Sequence, residues 1–343
     1  MENQEAKLLH KLIEHYSLSV DESYSLMKLF LSGEFNPKMA ASILSIITFK
    51  GEHPDEVTGF AKALIDDMKK FNSPYDNLID IVGTGGDHKK AFNISTIAGL
   101  ILSTLGIKVA KQTRHSKKSF CGSADVLESM GVNIKADYEQ KKLCLDQENI
   151  VFIDFKDYCS VCGPISNIQE ELGFYSILSL LPPLCHPAMV KRTIIGAPDR
   201  FKASLVARTL ENIGIEKAYV LWNEAGYDEI VPIGVTRIIV VERGKEHREL
   251  TLTANDFALA GNYKVGTPIK GGSLELNKQA LEEIDNCTHG IALDTVIMNV
   301  ALGLRLTGMT SSLKEGSELV KSHFKKGMLS QKISNLAKIT NSI

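Results

Sequence analysis

Excess charge of one sign, long apolar runs and cysteine are all scarce in this chain. Its 39 Lys and Arg stand against 41 Asp and Glu, leaving a formal net charge of −2 over 343 residues. A chain that grips nucleic acid ordinarily carries a basic excess over at least one domain. The balance here argues against nucleic acid as a partner, so any phosphate recognition has to be local. No stretch reaches the roughly 18 consecutive apolar residues that a membrane-spanning helix needs. The opening Met1-Glu2-Asn3-Gln4-Glu5 is polar and acidic, unlike a secretory signal. Six cysteines in so long a chain do not make a disulfide framework. These absences suggest a reduced, cytoplasmic protein without membrane attachment. What is present is ordinary for a globular protein: 44% hydrophobic and 23% charged residues, and enough length for two domains.

Helical spacing governs the beginning. Leu8, Leu9, Leu12 and Ile13 recur on one face, and Ser19 or Asp21 can cap the next helix. Asn36-Pro37 opens a third, and Pro54-Asp55-Glu56-Val57 reads as the acidic first turn of a fourth. The turn-rich Asn72-Ser73-Pro74 closes this segment, giving an expected helical domain over residues 1–72. Beyond it, short apolar strands (78–82, 107–110, 150–153, 218–222 and 237–241) alternate with helices such as 94–105 and 124–130. That alternation predicts an α/β domain over 73–343 with a mostly parallel central sheet. The last third returns to helices, among them 294–306 and 312–325.

A strand followed by Gly83-Thr84-Gly85-Gly86-Asp87 brings backbone N–H groups close to whatever sits above them. Asn93-Ile94-Ser95-Thr96 then opens an apolar helix whose N-terminus favours an anion. Asn93, Ser95 and Thr96 add side-chain donors, and Ser95 can also ligate Mg²⁺. Neither a Walker A loop nor GxGxxG is present. A bare glycine turn remains the structural alternative for the loop alone. Asp228-Glu229, after a strand, is either a solvated acidic turn or a pair of hard ligands for a divalent ion. The segment from Lys111 to Gly122 holds Arg114, His115, Lys117, Lys118 and Ser119, which read as solvated surface or as a loop closing over phosphate. Cys159, Cys162 and Cys185 are expected to be buried free thiols rather than zinc ligands.

Asp80-x-x-Gly-Thr-Gly-Gly-Asp followed by Phe92-Asn-Ile-Ser-Thr resembles the signature of the anthranilate phosphoribosyltransferase family. Val109-Ala110-Lys111, Gly122-Ser123-Ala124-Asp125-Val126-Leu127-Glu128 and Gly226-Tyr227-Asp228-Glu229 continue the resemblance in order, as does Lys50-Gly51-Glu52. It implies the nucleoside phosphorylase/phosphoribosyltransferase type of α/β fold, with the chain revisiting the helical domain around 165–190. It also implies a cytoplasmic homodimer through the N-terminal helices, and Mg²⁺ held by Ser95, Asp228 and Glu229. Phosphoribosyl diphosphate would lie on Gly83, Gly85, Gly86, Asp87, Asn93, Ser95, Thr96, Lys111, Ser119 and Ser123. An amine acceptor, anthranilate in the family and hence tryptophan biosynthesis, would attack the sugar. An arylamine is already neutral near pH 7, so no catalytic base is assigned.

The resemblance thins at the acceptor. The family's Lys-His-Gly-Asn-Arg is Lys111-Gln112-Thr113-Arg114-His115 here, so Arg114 and His115 stand on the acceptor-facing surface. The Arg that binds the carboxylate of anthranilate corresponds to Gln169, beside Glu170. Losing a hydrogen bond to a charged group costs about 1.5–3 kcal/mol, so either Arg114 compensates or a different amine is the acceptor. A non-catalytic, nucleic-acid-binding relative is a third reading, which the intact glycine loop and Asp228-Glu229 oppose. Pyrimidine nucleoside phosphorylases share a glycine loop but match the later motifs less well.

Overall fold

The computed structural model describes residues 4–85, 89–115, 121–159, 162–259 and 263–342. Four helices open the chain: α1 (Gln4–Ile13), α2 (Val20–Ser32), α3 (Pro37–Lys50) and α4 (Pro54–Asp67). Their starts follow from side chains that satisfy the first-turn N–H groups. The Ser19 hydroxyl accepts from Glu22 N–H, and the Glu22 carboxylate accepts in return from Ser19 N–H. Asn36 caps α3 by accepting from Lys38 N–H at 2.9 Å, with Pro37 at the position where a missing N–H costs nothing. At α4 the carboxylate of Glu56 accepts from His53 N–H at 2.9 Å.

Glu56 does more than cap. It is fully buried, its Oε1 accepts from Leu18 N–H at 3.0 Å, and its Oε2 accepts from Lys50 Nζ at 2.8 Å. One carboxylate therefore ties the α1–α2 connection, the end of α3 and the start of α4 together.

The strands are β1 (Ile79–Gly83), β2 (Val109–Thr113), β3 (Ile150–Asp154), β4 (Arg192–Gly196), β5 (Lys217–Asn223), β6 (Thr236–Glu242) and β7 (Arg248–Leu252). They form one sheet in the order β3-β2-β1-β4-β5-β6-β7. The first five are parallel, and β6 and β7 are added antiparallel at one edge. The chain builds outward from β1 through β2 to β3, then restarts on the other side of β1 with β4. That reversal is the point at which open α/β sheets form a crevice beyond the carboxyl ends of their strands.

Between strands run α5 (Ile94–Thr104), α6 (Ser123–Glu128), α7 (Tyr138–Glu148), α8 (Phe155–Tyr158), α9 (Cys162–Leu172), α10 (Ile177–Leu184) and α11 (Arg200–Asn212). Four helices follow the sheet: α12 (Leu274–Asp285), α13 (Ile291–Thr307), α14 (Leu313–His323) and α15 (Met328–Thr340). The sheet has a core on each face, and single strands feed both. On β5, Tyr219 and Leu221 face the core built with α5 and α13, whereas Ala218, Val220 and Trp222 face the one built with α4, α10 and α11. Such two-sided burial explains why the parallel strands read as unbroken apolar runs. Helices α9 and α10 pack against α2, α3 and α4.

Strand β2 reaches Thr113, past the expected end at 110, because Lys111, Gln112 and Thr113 are all buried. Cys185 is a fully buried free thiol, as expected. Cys159 is instead disulfide-bonded, which corrects the free-thiol reading there. Whether two sulfurs bond depends on their separation in the fold, which burial and composition do not encode. Among the described residues no helix is long and apolar enough to cross a membrane.

Removing one partner of a buried pair leaves a charge without compensation, which costs about 3–5 kcal/mol. Glu56→Gln is therefore expected to lower the urea midpoint by the equivalent of roughly that energy. A midpoint within error of the parent would refute the structural weight given to Glu56.

Candidate active site at the sheet reversal

Gly83 ends β1, Gly196 ends β4, and the two are paired in register across the reversal. A Cβ on Gly83 would stand 2.3 Å from Asp228 Oδ2, and one on Gly196 would stand 1.4 Å from the Asp228 backbone oxygen. Both positions are glycine because Asp228 lies directly on them. The loop then turns. Thr84 N–H donates to Gly196 O at 2.8 Å, and Gly85, at φ +76°, donates its N–H to Asp228 Oδ2 at 3.2 Å. The seated carboxylate is 8% exposed, and Glu229 beside it is half-buried.

The turn that delivers Asp228 is shaped by Asn223, a residue the sequence reading did not single out. Its side-chain oxygen accepts from Ala225 N–H at 2.7 Å, while its amide donates to Ile233 O and Thr236 Oγ1. Asn223 is 2% exposed, so it works as an internal brace for residues 224–229. Asn223-Glu224-Ala225-Gly226 does carry a local Asx-turn signal. Tyr175 braces the loop from the opposite direction, donating its hydroxyl to Thr84 O at 2.8 Å. Burial pushes that phenol well above its ordinary range, so it remains a donor.

Asn93 precedes the first turn of α5, the helix packed on β1. Its side chain makes no capping bond; its backbone N–H donates to Asn277 Oδ1 at 2.8 Å. Asn93 Nδ2 and Thr96 Oγ1 are buried and have no hydrogen-bond partner among the described residues. Buried polar groups are nearly always satisfied, so two orphans on one helical turn point to a ligand. Ser95, between them, is half-buried.

The basic residues of the next loop separate into different roles. Lys111 points inward: its Nζ donates to Gln112 O at 2.8 Å and lies 4.0 Å from Asp80 Oδ1. Burial lowers its pKa, an effect the Asp80 charge partly offsets. His186 flanks the same carboxylate at 3.6 Å, donating from Nε2 to Ala110 O and accepting from Ala188 N–H at Nδ1. Those bonds define a neutral ring, consistent with burial lowering its pKa. Gln112 Nε2 and Thr113 Oγ1 are also buried and unpartnered among the described residues.

Arg114 reaches the loop: its Nη2 lies 2.9 Å from where a Cβ on Gly85 would be. Its own backbone is anchored by Ser123, whose hydroxyl accepts from Arg114 N–H at 3.3 Å. His115 turns instead toward Asp125 and Glu128. Gln169 lies in the last turn of α9, where its amide donates to Phe174 O and accepts from the Ser176 hydroxyl. Gly86, Asp87 and Ser119 lie outside the described residues, as do His88, Lys117 and Lys118. The structure thus gathers Gly83, Gly85, Asp228 and Arg114 at one point, with Tyr175 behind the loop.

Residues 75–329 match the model of a glycosyl transferase family's a/b domain, and residues 6–68 match that family's helical bundle domain. The anthranilate phosphoribosyltransferase of Petrotoga mobilis is 32% identical over 97% of this chain and 96% of its own length. That of a Geobacillus strain is 34% identical over 92% of each chain. Among solved structures, the anthranilate phosphoribosyltransferase of Thermus thermophilus superposes with a TM-score of 0.88 at 28% identity, covering 97% of this chain and 99% of that one. The Saccharomyces cerevisiae protein, solved in complex with PRPP and Mg, shares the fold with a TM-score of 0.87 at 21% identity, covering 100% and 99%. Two matched domain models and curated relatives more than 30% identical over nine-tenths of the chain establish that this is an enzyme of the anthranilate phosphoribosyltransferase family, within the glycosyl transferases.

Proposed function

We propose that this enzyme transfers the phosphoribosyl group of phosphoribosyl diphosphate to anthranilate, with Mg²⁺, as a step of tryptophan biosynthesis. The observation that carries the reading is the pair of buried donors Asn93 Nδ2 and Thr96 Oγ1 at the head of α5, after the glycine loop, which have no hydrogen-bond partner among the described residues. An anion on that helix terminus satisfies both and gains the helix dipole. Breaking the bond from C1 to diphosphate builds negative charge on the leaving group. Loop N–H groups, Asn93, Thr96 and the Arg114 guanidinium are fixed before that charge appears, which is the condition for large electrostatic stabilisation. Gly86, Asp87, Ser119 and Ser123 belong to the same proposed surface.

The donor set for the metal is Asp228, Glu229 and the Ser95 hydroxyl, all hard oxygens of the kind Mg²⁺ takes. Asp228 fits this role because Gly83 and the Gly85 N–H hold its carboxylate in one position while Gly196 seats its backbone carbonyl. Mg²⁺ bound there would neutralise charge on the departing diphosphate. Lys111, turned toward Asp80, supports the strand end from which Arg114 projects. The family relationship further supports a homodimer through the N-terminal helices, a cytoplasmic setting, and a helical unit of residues 1–72 with about 165–190 set against 73–343.

Arg114 is assigned to the donor, since its guanidinium overlies Gly85. Gln169, its amide engaged by Ser176 and Phe174, supports the α9–α10 connection.

Purified protein should release diphosphate from phosphoribosyl diphosphate only when both Mg²⁺ and anthranilate are present. Turnover with other arylamines but none with anthranilate would replace the acceptor; no turnover and no binding of phosphoribosyl diphosphate would end the reading. Losing one hydrogen bond to a charged group costs roughly 1.5–3 kcal/mol, or about tenfold to over a hundredfold. Thr96→Val and Arg114→Ala should each raise the donor KM within that range. Arg114→Ala should leave the anthranilate KM within about twofold, because the lost bond serves the donor. A rise confined to the anthranilate KM would move Arg114 to the acceptor.

A further inference from the structure

His115 follows β2 by two residues, and its ring faces α6. Nδ1 lies 3.0 Å from Asp125 Oδ1 and 3.7 Å from Glu128 Oε2. Asp125 and Glu128 are three apart on a helix and therefore share a face. One donor atom from each of the three residues falls within 4.8 Å of the others. Tetrahedral bonds of about 2.0–2.2 Å to a common ion would hold ligand atoms about 3.3–3.6 Å apart. The two measured separations fall on either side of that spacing.

A third carboxylate stands behind the ring. Asp154 is 6% exposed; its Oδ1 accepts from Lys156 N–H at 3.0 Å as the cap of α8, and its Oδ2 lies 3.9 Å from His115 Nε2. A neutral imidazole has one N–H and one lone pair. With carboxylates beside both nitrogens, a neutral ring turns its lone pair toward a negative oxygen, a conflict that either a second proton or a metal ion on that nitrogen removes. A metal at Nδ1 removes the conflict and leaves the ring proton on Nε2 directed at Asp154. Carboxylates in that outer position orient metal-bound histidines generally.

We propose that His115, Asp125 and Glu128 bind a divalent transition-metal ion, best matched by Zn²⁺, at a site separate from Asp228 and Glu229. One imidazole nitrogen with two carboxylates suits Zn²⁺ or Co²⁺, whereas Mg²⁺ and Ca²⁺ favour all-oxygen sites. The three side chains are each about one-third exposed, which leaves a side open for water as a fourth ligand. Asp125 Oδ2 meanwhile accepts from Gly122 N–H at 2.7 Å, so the ion would join the segment after β2 to the head of α6. The site does not depend on the phosphoribosyl reading.

Untagged full-length protein, held in excess Mg²⁺, is titrated with Co²⁺ and followed by visible absorption and equilibrium dialysis. One equivalent should bind with d–d bands that Zn²⁺ abolishes. His115→Arg places a positive charge against Asp125 and Glu128 but cannot ligate, so the bands should vanish and affinity fall more than about tenfold. Asp228→Asn should keep the bands, which separates this site from the proposed Mg²⁺ site. Absence of bands in the parent protein, the result expected if His115 is merely a protonated ion-pair partner, overturns the proposal. So does unchanged binding in His115→Arg. If that variant misfolds by circular dichroism, Glu128→Gln takes its place with the same two outcomes.

Discussion

The seat of Asp228 on Gly83 and Gly196 is the constraint from which the rest of the site follows. Two strands that meet at the sheet reversal end in glycine at the same register, and the space where their side chains would stand is filled by Asp228 from beyond β5, its carboxylate over Gly83 and its backbone carbonyl over Gly196. Because the contact is to backbone on both sides, neither strand can shift without moving the other or expelling Asp228. The same carboxylate accepts the Gly85 N–H and so fixes the start of the loop. Sheet register, loop conformation and the position of a metal-competent oxygen are thus one geometric fact. Interiors packed at this density transmit such constraints rather than absorbing them.

Around that seat the protein holds its charges by depth. The buried Asp80 carboxylate lies between Lys111 and a neutral His186 and accepts N–H groups from Ile81 and Gln112. This network lies below the crevice and orders the ends of β1 and β2. Arg114, three residues further on, projects over the loop itself. Consecutive basic residues of similar appearance in the chain therefore divide between internal support and the proposed phosphate surface. His115 goes to a third place, against α6. The two apolar cores on either face keep this arrangement rigid, with the helical layer of α1–α4, α9 and α10 closing one face.

Much of this was legible because the signals are local. Glycines at a strand end, proline and asparagine at helix starts, and the Asn-Ile-Ser-Thr head of α5 state their backbone requirements in a few adjacent residues. Strand β4 was missed because only Ile194 and Ile195 form its apolar centre, and its pairing with β1 is a long-range matter. The extension of β2 through Lys111, Gln112 and Thr113 was hidden because polar residues read as loop unless their buried partner, here Asp80, is known. Asn223 carried a turn signal, yet its importance comes from Ile233 and Thr236, which a window around it does not contain. For Gln169 the alignment position was readable, but the bonds to Phe174 and Ser176 were not.

The central claim is that donor recognition depends on Asp228 occupying the space above two glycines. Gly196→Ala adds one methyl group, and its Cβ would fall 1.4 Å from the Asp228 oxygen. Calorimetric titration of that variant with phosphoribosyl diphosphate in Mg²⁺ is the most direct measurement. Overpacking typically costs about 1–3 kcal/mol and more against backbone, so circular dichroism first establishes that the variant folds. Affinity for the donor should fall by more than about tenfold, because a displaced Asp228 no longer holds the Gly85 N–H or the metal position. A folded Gly196→Ala protein that binds the donor as tightly as the parent would contradict the account.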